Sequence, residues 1–100
     1  MLPNSIRQNI LSGHLTATPV KELGFRGRGG VFLVEGWCVS LIDRKSRFLR
    51  KDAQRFEDIL AAVRRQQDSA FAGHIIVRTA PVCRQARAWL AERGVSMEQV

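Results

Sequence analysis

Residues 31–45 read VFLVEGWCVSLIDRK, and the fold turns on this run. β-branched and aromatic residues fill both halves, and Glu35-Gly36 breaks them with a pair suited to a tight turn. Two strands joined by that turn account for the pattern. The second strand, from Trp37 to Asp43, carries Trp37, Val39, Leu41 and Asp43 on one face, because strand side chains alternate. Beyond it, SRFLRKD (46–52) reads as a basic loop, with Phe48 and Leu49 as its expected anchors in the core. Asp52 is placed to cap a helix reaching Gln67. In that helix Phe56, Ile59, Leu60 and Val63 recur at the i, i+3, i+4, i+7 spacing of one buried face. GHIIVRTA (73–80) is a short apolar strand expected to be buried on both faces. Pro81 then opens a helix ending at Gly94, with Val82, Cys83, Ala86, Trp89 and Leu90 on its apolar arc. VSMEQV (95–100) is expected as an edge strand.

Upstream of the hairpin, Asn4 or Ser5 can cap a short helix bearing Ile6, Ile10 and Leu11, closed by Gly13. Thr18-Pro19 is expected to start a further helical turn that Gly24 ends. The FRGRGG segment (25–30) is too glycine-rich for an element interior and reads as a lead-in to the first hairpin strand. The resulting architecture is α/β: a small mixed β-sheet, hairpin plus parallel strand, flanked by helices in one domain over residues 1–100. A strand–helix–strand tail implies a parallel pair joined by a right-handed crossover.

Composition narrows the functional classes. With 45% hydrophobic and 25% charged residues, the 100-residue chain is of ordinary globular usage, neither disordered nor a coiled coil. No run approaches the ~18 apolar residues of a membrane span, so no membrane role is expected. MLPNSIRQNILSGH lacks the charged and then apolar order of a signal peptide, so the expected compartment is the cytoplasm. Cys38 and Cys83 are accordingly expected as thiols, and their spacing from His14 and His74 does not match a zinc site. No Walker loop or nucleophile elbow is present.

The net charge of +7 is unevenly placed. Arg26, Arg28, Arg44, Lys45, Arg47, Arg50 and Lys51 face only Glu35 and Asp43 within residues 26–51, so one quarter of the chain holds most of the excess. Such a concentration is the footprint of a phosphate-binding surface, and these seven residues are the expected nucleic-acid contacts. Arginine, the better fork for phosphate, supplies most of the positive charge.

The element order, with a strand ending in Asp-x-Lys ahead of a helix, resembles the PD-(D/E)xK, restriction-endonuclease-like nuclease superfamily. Asp43-Arg44-Lys45 stands as the (D/E)xK element. AGHIIVRTAPVCRQARAWLAERGVSMEQV (72–100) is similar to the closing strand and helix of NucS-type endonucleases. The resemblance spans residues 31–100 and implies catalytic roles for Asp43 and Lys45. Asp43 would hold a Mg²⁺ ion, and Lys45 would stabilise developing negative charge. The family also places a second acid on the preceding strand. Here the hairpin register sets Arg28 to Gly30 opposite Asp43, Glu35 lies roughly 20 Å away at the turn, and Glu22 is the remaining upstream acid. A cross-strand ion pair between Asp43 and Arg28 is therefore the expectation. Three readings follow. The first is a basic protein that binds nucleic acid, DNA before RNA, on a nuclease-like scaffold without cleaving it. The second is a Mg²⁺-dependent endonuclease. The third is a small plasmid-, phage- or immunity-type module that meets an acidic protein partner or a second copy of itself.

Overall fold

The computed structural model describes residues 1–100. Its elements run α1 (Asn4–Leu11), β1 (Thr18–Pro19), a 3-10 turn (Val20–Leu23), β2 (Gly30–Val34), β3 (Trp37–Asp43), α2 (Arg50–Gln67), β4 (Ala72–Arg78), α3 (Arg84–Glu92) and β5 (Ser96–Gln99). The strands form one mixed sheet in sequence order. β1, β2 and β3 pair antiparallel, and β4 and β5 add in parallel through the crossovers that contain α2 and α3. The α/β fold with a mixed sheet and flanking helices thus stands as the sequence implied.

The hairpin closes as a two-residue turn with both central residues at positive φ, Glu35 at 48° and Gly36 at 81°. That is the backbone of a type I′ turn, whose twist matches the strands it joins. β4 is buried across both faces from Gly73 to Val77 because helices cover each side. One face of the sheet meets α2 and α3 over Val31, Cys38, Phe56, Leu60, Val63, Ile75, Val77 and Leu90. The other meets α1, where Leu2, Ile6 and Ile10 pack on Val39 and Ile76. Gly73 lets α2 approach closely: a Cβ there would lie 2.8 Å from Leu60 and 3.1 Å from Phe56.

Several boundaries differ from the sequence reading, each for a local reason. Thr18-Pro19 is a short edge strand, and the expected helical turn follows directly as the 3-10 turn Val20–Leu23, entered from Pro19 and ended by Gly24 in the left-handed region. Pro19 sits opposite Gly30 at the sheet edge, where a residue without an N–H is tolerated. α2 begins at Arg50, ahead of Asp52. Asp52 caps it from the third helical position by accepting the Leu49 N–H at 2.8 Å. Leu49 is correspondingly exposed rather than a core anchor, whereas Phe48 is buried at 1% exposure. α3 begins at Arg84, because the preceding segment bridges to the loop instead: Phe48 donates to Pro81 and Cys83 donates back to Phe48. Phe32, Val34, Leu41 and Trp89 are half-buried. Arg93 lies over the Trp89 ring at 3.6 Å.

Candidate nucleic-acid interface

The loop between β3 and α2 is basic by sequence and rigid by its bonds. Arg44 braces it, donating to the carbonyls of Ser46 and Arg47 and to the Asp52 carboxylate at 2.8 Å. Phe48 pins the middle of the loop into the α2–α3 core through its paired bonds to Pro81 and Cys83. Arg44, Arg47 and Lys51 are thereby presented around one shallow concavity with Ser46, Leu49 and Asp52. A second, deeper cavity of about 200 Å³ adjoins it and shares Arg44 and Asp52. Its rim adds Arg28 and Arg55, and its floor is apolar, formed by Val31, Ile42, Phe48, Phe56, Ile59 and Ile75.

Of the seven cations singled out by charge density, Arg28, Arg44, Arg47 and Lys51 line these two concavities. Arg26, Lys45 and Arg50 are exposed nearby and line neither. Arg26 contributes its carbonyl, which accepts a bond from Arg55 and fixes that side chain over the FRGRGG loop. Arg55 itself was not among the expected contacts. It lies four residues after Lys51 on α2, the spacing that puts two helical side chains on one face, and that spacing was the available signal.

Asp43 and Lys45 are arranged differently from a nuclease pair. β3 ends at Asp43, so Lys45 belongs to the following loop rather than to the same strand face. Asp43 is half exposed and pairs with Arg78 at 3.3 Å, its register partner on β4. The expected pairing with Arg28 across the hairpin is not made, because the antiparallel ladder of β2 and β3 gives out before it reaches Asp43. Strand alternation also sets the Asp43 side chain on the α1 face with those of Val39 and Leu41, and Asp43 is not among the β3 residues that line the cavity, Ser40, Leu41 and Ile42. No three acidic, histidine or cysteine side chains gather anywhere as a metal-holding group. A Mg²⁺ ion needs carboxylate oxygens held in near-octahedral order, and a lone Asp43 already bound to a guanidinium does not fit it.

A second polar cluster lies on the α1 face, away from both cavities. His74, 3% exposed, bonds Ser96 through Nδ1 and Glu98 through Nε2 at 2.6 Å. Arg7 of α1 donates twice to the same Glu98 carboxylate, at 2.6 and 3.0 Å. Burial lowers the His74 pKa, opposed by its bond to Glu98, and the Arg7 bond holds Glu98 below the usual carboxylate range. Trp37 abuts His74 edge-on with ring centres 6.2 Å apart. Both thiols are free, Cys38 buried and Cys83 half-buried. Burial pushes Cys38 up to about 12, which makes it inert, while backbone N–H groups of Ala86 and Gln85 lower Cys83 at the start of α3.

The fold is a five-stranded mixed sheet with helices on both faces, and it carries a basic, cavity-bearing face. Among solved structures it is similar to a repair endonuclease from Pyrococcus abyssi, with a TM-score of 0.60 and 12% sequence identity over 97% of this chain. The chain spans 44% of that protein's length, and at this identity the likeness is one of fold. No family model and no curated protein matches the sequence.

Proposed function

We propose that this protein binds nucleic acid on a nuclease-like scaffold and does not cleave it at Asp43. The observation that carries the reading is the clustering of Arg28, Arg44, Arg47, Lys51 and Arg55 around two adjoining concavities, with Asp52 as the one acidic side chain lining either. Arg50 and Lys51 also occupy the first turn of α2, where the positive end of the helix dipole disfavours cations. An arrangement that costs stability in the free protein is relieved when an anionic polymer lies against it. DNA is the polymer favoured, because a repair endonuclease is among the solved structures similar to this fold. The fold also explains why no cleavage is assigned. Asp43 is held by Arg78, is not among the residues lining the cavity, and belongs to no cluster of three metal-ligating side chains.

A gel-shift panel of single-stranded, duplex and branched DNA, with and without Mg²⁺, tests both parts. Arg47→Glu combined with Lys51→Glu is expected to weaken binding to all sequences alike, since phosphate contacts carry no base information. Unchanged affinity in that variant removes the patch from the argument. Mg²⁺-dependent cleavage by the wild type that Asp43→Asn abolishes would restore the enzyme reading.

A further inference from the structure

The deeper cavity has features that phosphate binding alone does not require. Its floor is apolar and comes from four elements: Val31 of β2, Ile42 of β3, Ile75 of β4, and Phe56 and Ile59 of α2, with Phe48 from the loop. Three guanidiniums, Arg28, Arg44 and Arg55, stand against one carboxylate, Asp52, at its mouth. The Arg44–Asp52 bond and the Arg55 bond to the Arg26 carbonyl hold two of these cations in place. One wall is Gly29 and Gly30, which have no side chain to fill the opening. Gly30 must stay bare in any case, since a Cβ would lie 2.5 Å from the Thr18 carbonyl oxygen.

Size and chemistry then select the occupant. The volume of about 200 Å³ far exceeds the ~15 Å³ that admits a single water, yet falls short of the ~300–1,000 Å³ of pockets for drug-sized molecules. A flat heterocycle fits that interval, and a dinucleotide does not. Apolar surface below and fixed positive charge above suit a ligand with an apolar planar body joined to an anion. In paired duplex the bases are stacked inward and only the backbone is offered. An unpaired nucleotide offers both parts.

We propose that this cavity takes the base of one unpaired nucleotide, with its phosphate against Arg28 and Arg55. The assignment rests on the nucleic-acid reading above and makes the protein a reader of unpaired bases rather than of backbone alone. Ser40, half-buried on β3, also lines the cavity and is a polar group within it that can meet the base edge.

The test compares a short oligodeoxyadenylate with an abasic backbone of the same length and charge, by fluorescence anisotropy. A closed hairpin duplex serves as the paired control. The oligodeoxyadenylate is expected to bind about tenfold more tightly than the abasic strand, the scale that stacking one base supplies. Ser40→Leu and, separately, Ile42→Phe fill the cavity without changing charge. Each should abolish that difference while leaving hairpin binding intact, with folding of each variant confirmed by its thermal midpoint. Displacement by free dAMP would extend the site to mononucleotides. Failure of dAMP to displace, with the base preference intact, would confine it to nucleotides within a strand. Equal affinity for the two strands, or a preference that survives both filled cavities in folded protein, overturns the pocket while DNA binding stands. Loss of binding to every DNA at low salt overturns the binding reading itself.

Discussion

Asp43 illustrates how one side chain's role depends on which neighbouring strand reaches it. Its partner is Arg78, thirty-five residues away, and the exposed pair is worth about 0–1 kcal/mol. From the sequence the hairpin register is local and readable, so Arg28 was the natural partner. The β3–β4 register is set by the packing of α2 across both strands, which no local pattern encodes. The same separation of face from sequence hides the cavity. Ser40 and Ile42 carry no charge, and only the folded sheet sets them beside Arg28 and Arg55. Gly73 is another residue whose role appears only in three dimensions. Gly73→Ala would press a methyl against Leu60 and Phe56, and overpacking of this kind costs about 1–3 kcal/mol. A lower urea midpoint with an unchanged denaturant slope is expected, and an unaltered midpoint would show that α2 can shift to make room.

At the level of elements, α1 is joined to the sheet by Ile6 and Ile10 and by the Arg7–Glu98–His74 network. That network makes the attachment sensitive to acid. Burial favours neutral His74, so its folded pKa lies below the unfolded value of about 6.5. The unfolded chain therefore takes up the proton first, and stability that is complete above about pH 6.5 is lost as pH falls through the folded value. Glu98, held low by Arg7, adds a further loss once pH enters the carboxylate range. Urea midpoints should fall progressively below about pH 6.5, and His74→Phe should flatten the first part of that fall. A wild-type midpoint that is constant down to about pH 5 would contradict this. The hairpin, α2 and β4 were legible because their apolar periods are strong and their turns are short. The start of α3 was not, since Pro81 and Cys83 spend their backbone groups on Phe48 across the fold. β1 was equally obscure: two residues make too short a run for any period, and only the approach of Gly30 gives it a partner.

For the whole molecule, the decisive property is where the excess of +7 resides. The concentration between residues 26 and 51 was visible in the sequence, but its useful members were not separable there. Folding commits Arg44 to Asp52 and the loop carbonyls, and leaves Arg28, Arg47, Lys51 and Arg55 around the concavities without carboxylate partners. Each cation that replaces a counterion on DNA steepens the dependence of affinity on salt. If these four contact phosphates, log K should fall with log[salt] at a slope near −3.6 on duplex and near −2.8 on a single strand. Arg47→Gln should lessen the duplex slope by about 0.9 while lowering affinity uniformly across sequences. Lys45→Gln, which removes an exposed charge lining neither concavity, should change the slope by less. Anisotropy titrations from low to moderate salt measure all of these. A duplex slope near zero, or equal effects of Arg47→Gln and Lys45→Gln, would mean that the concavities do not set the contact and that the charge acts only as a diffuse field.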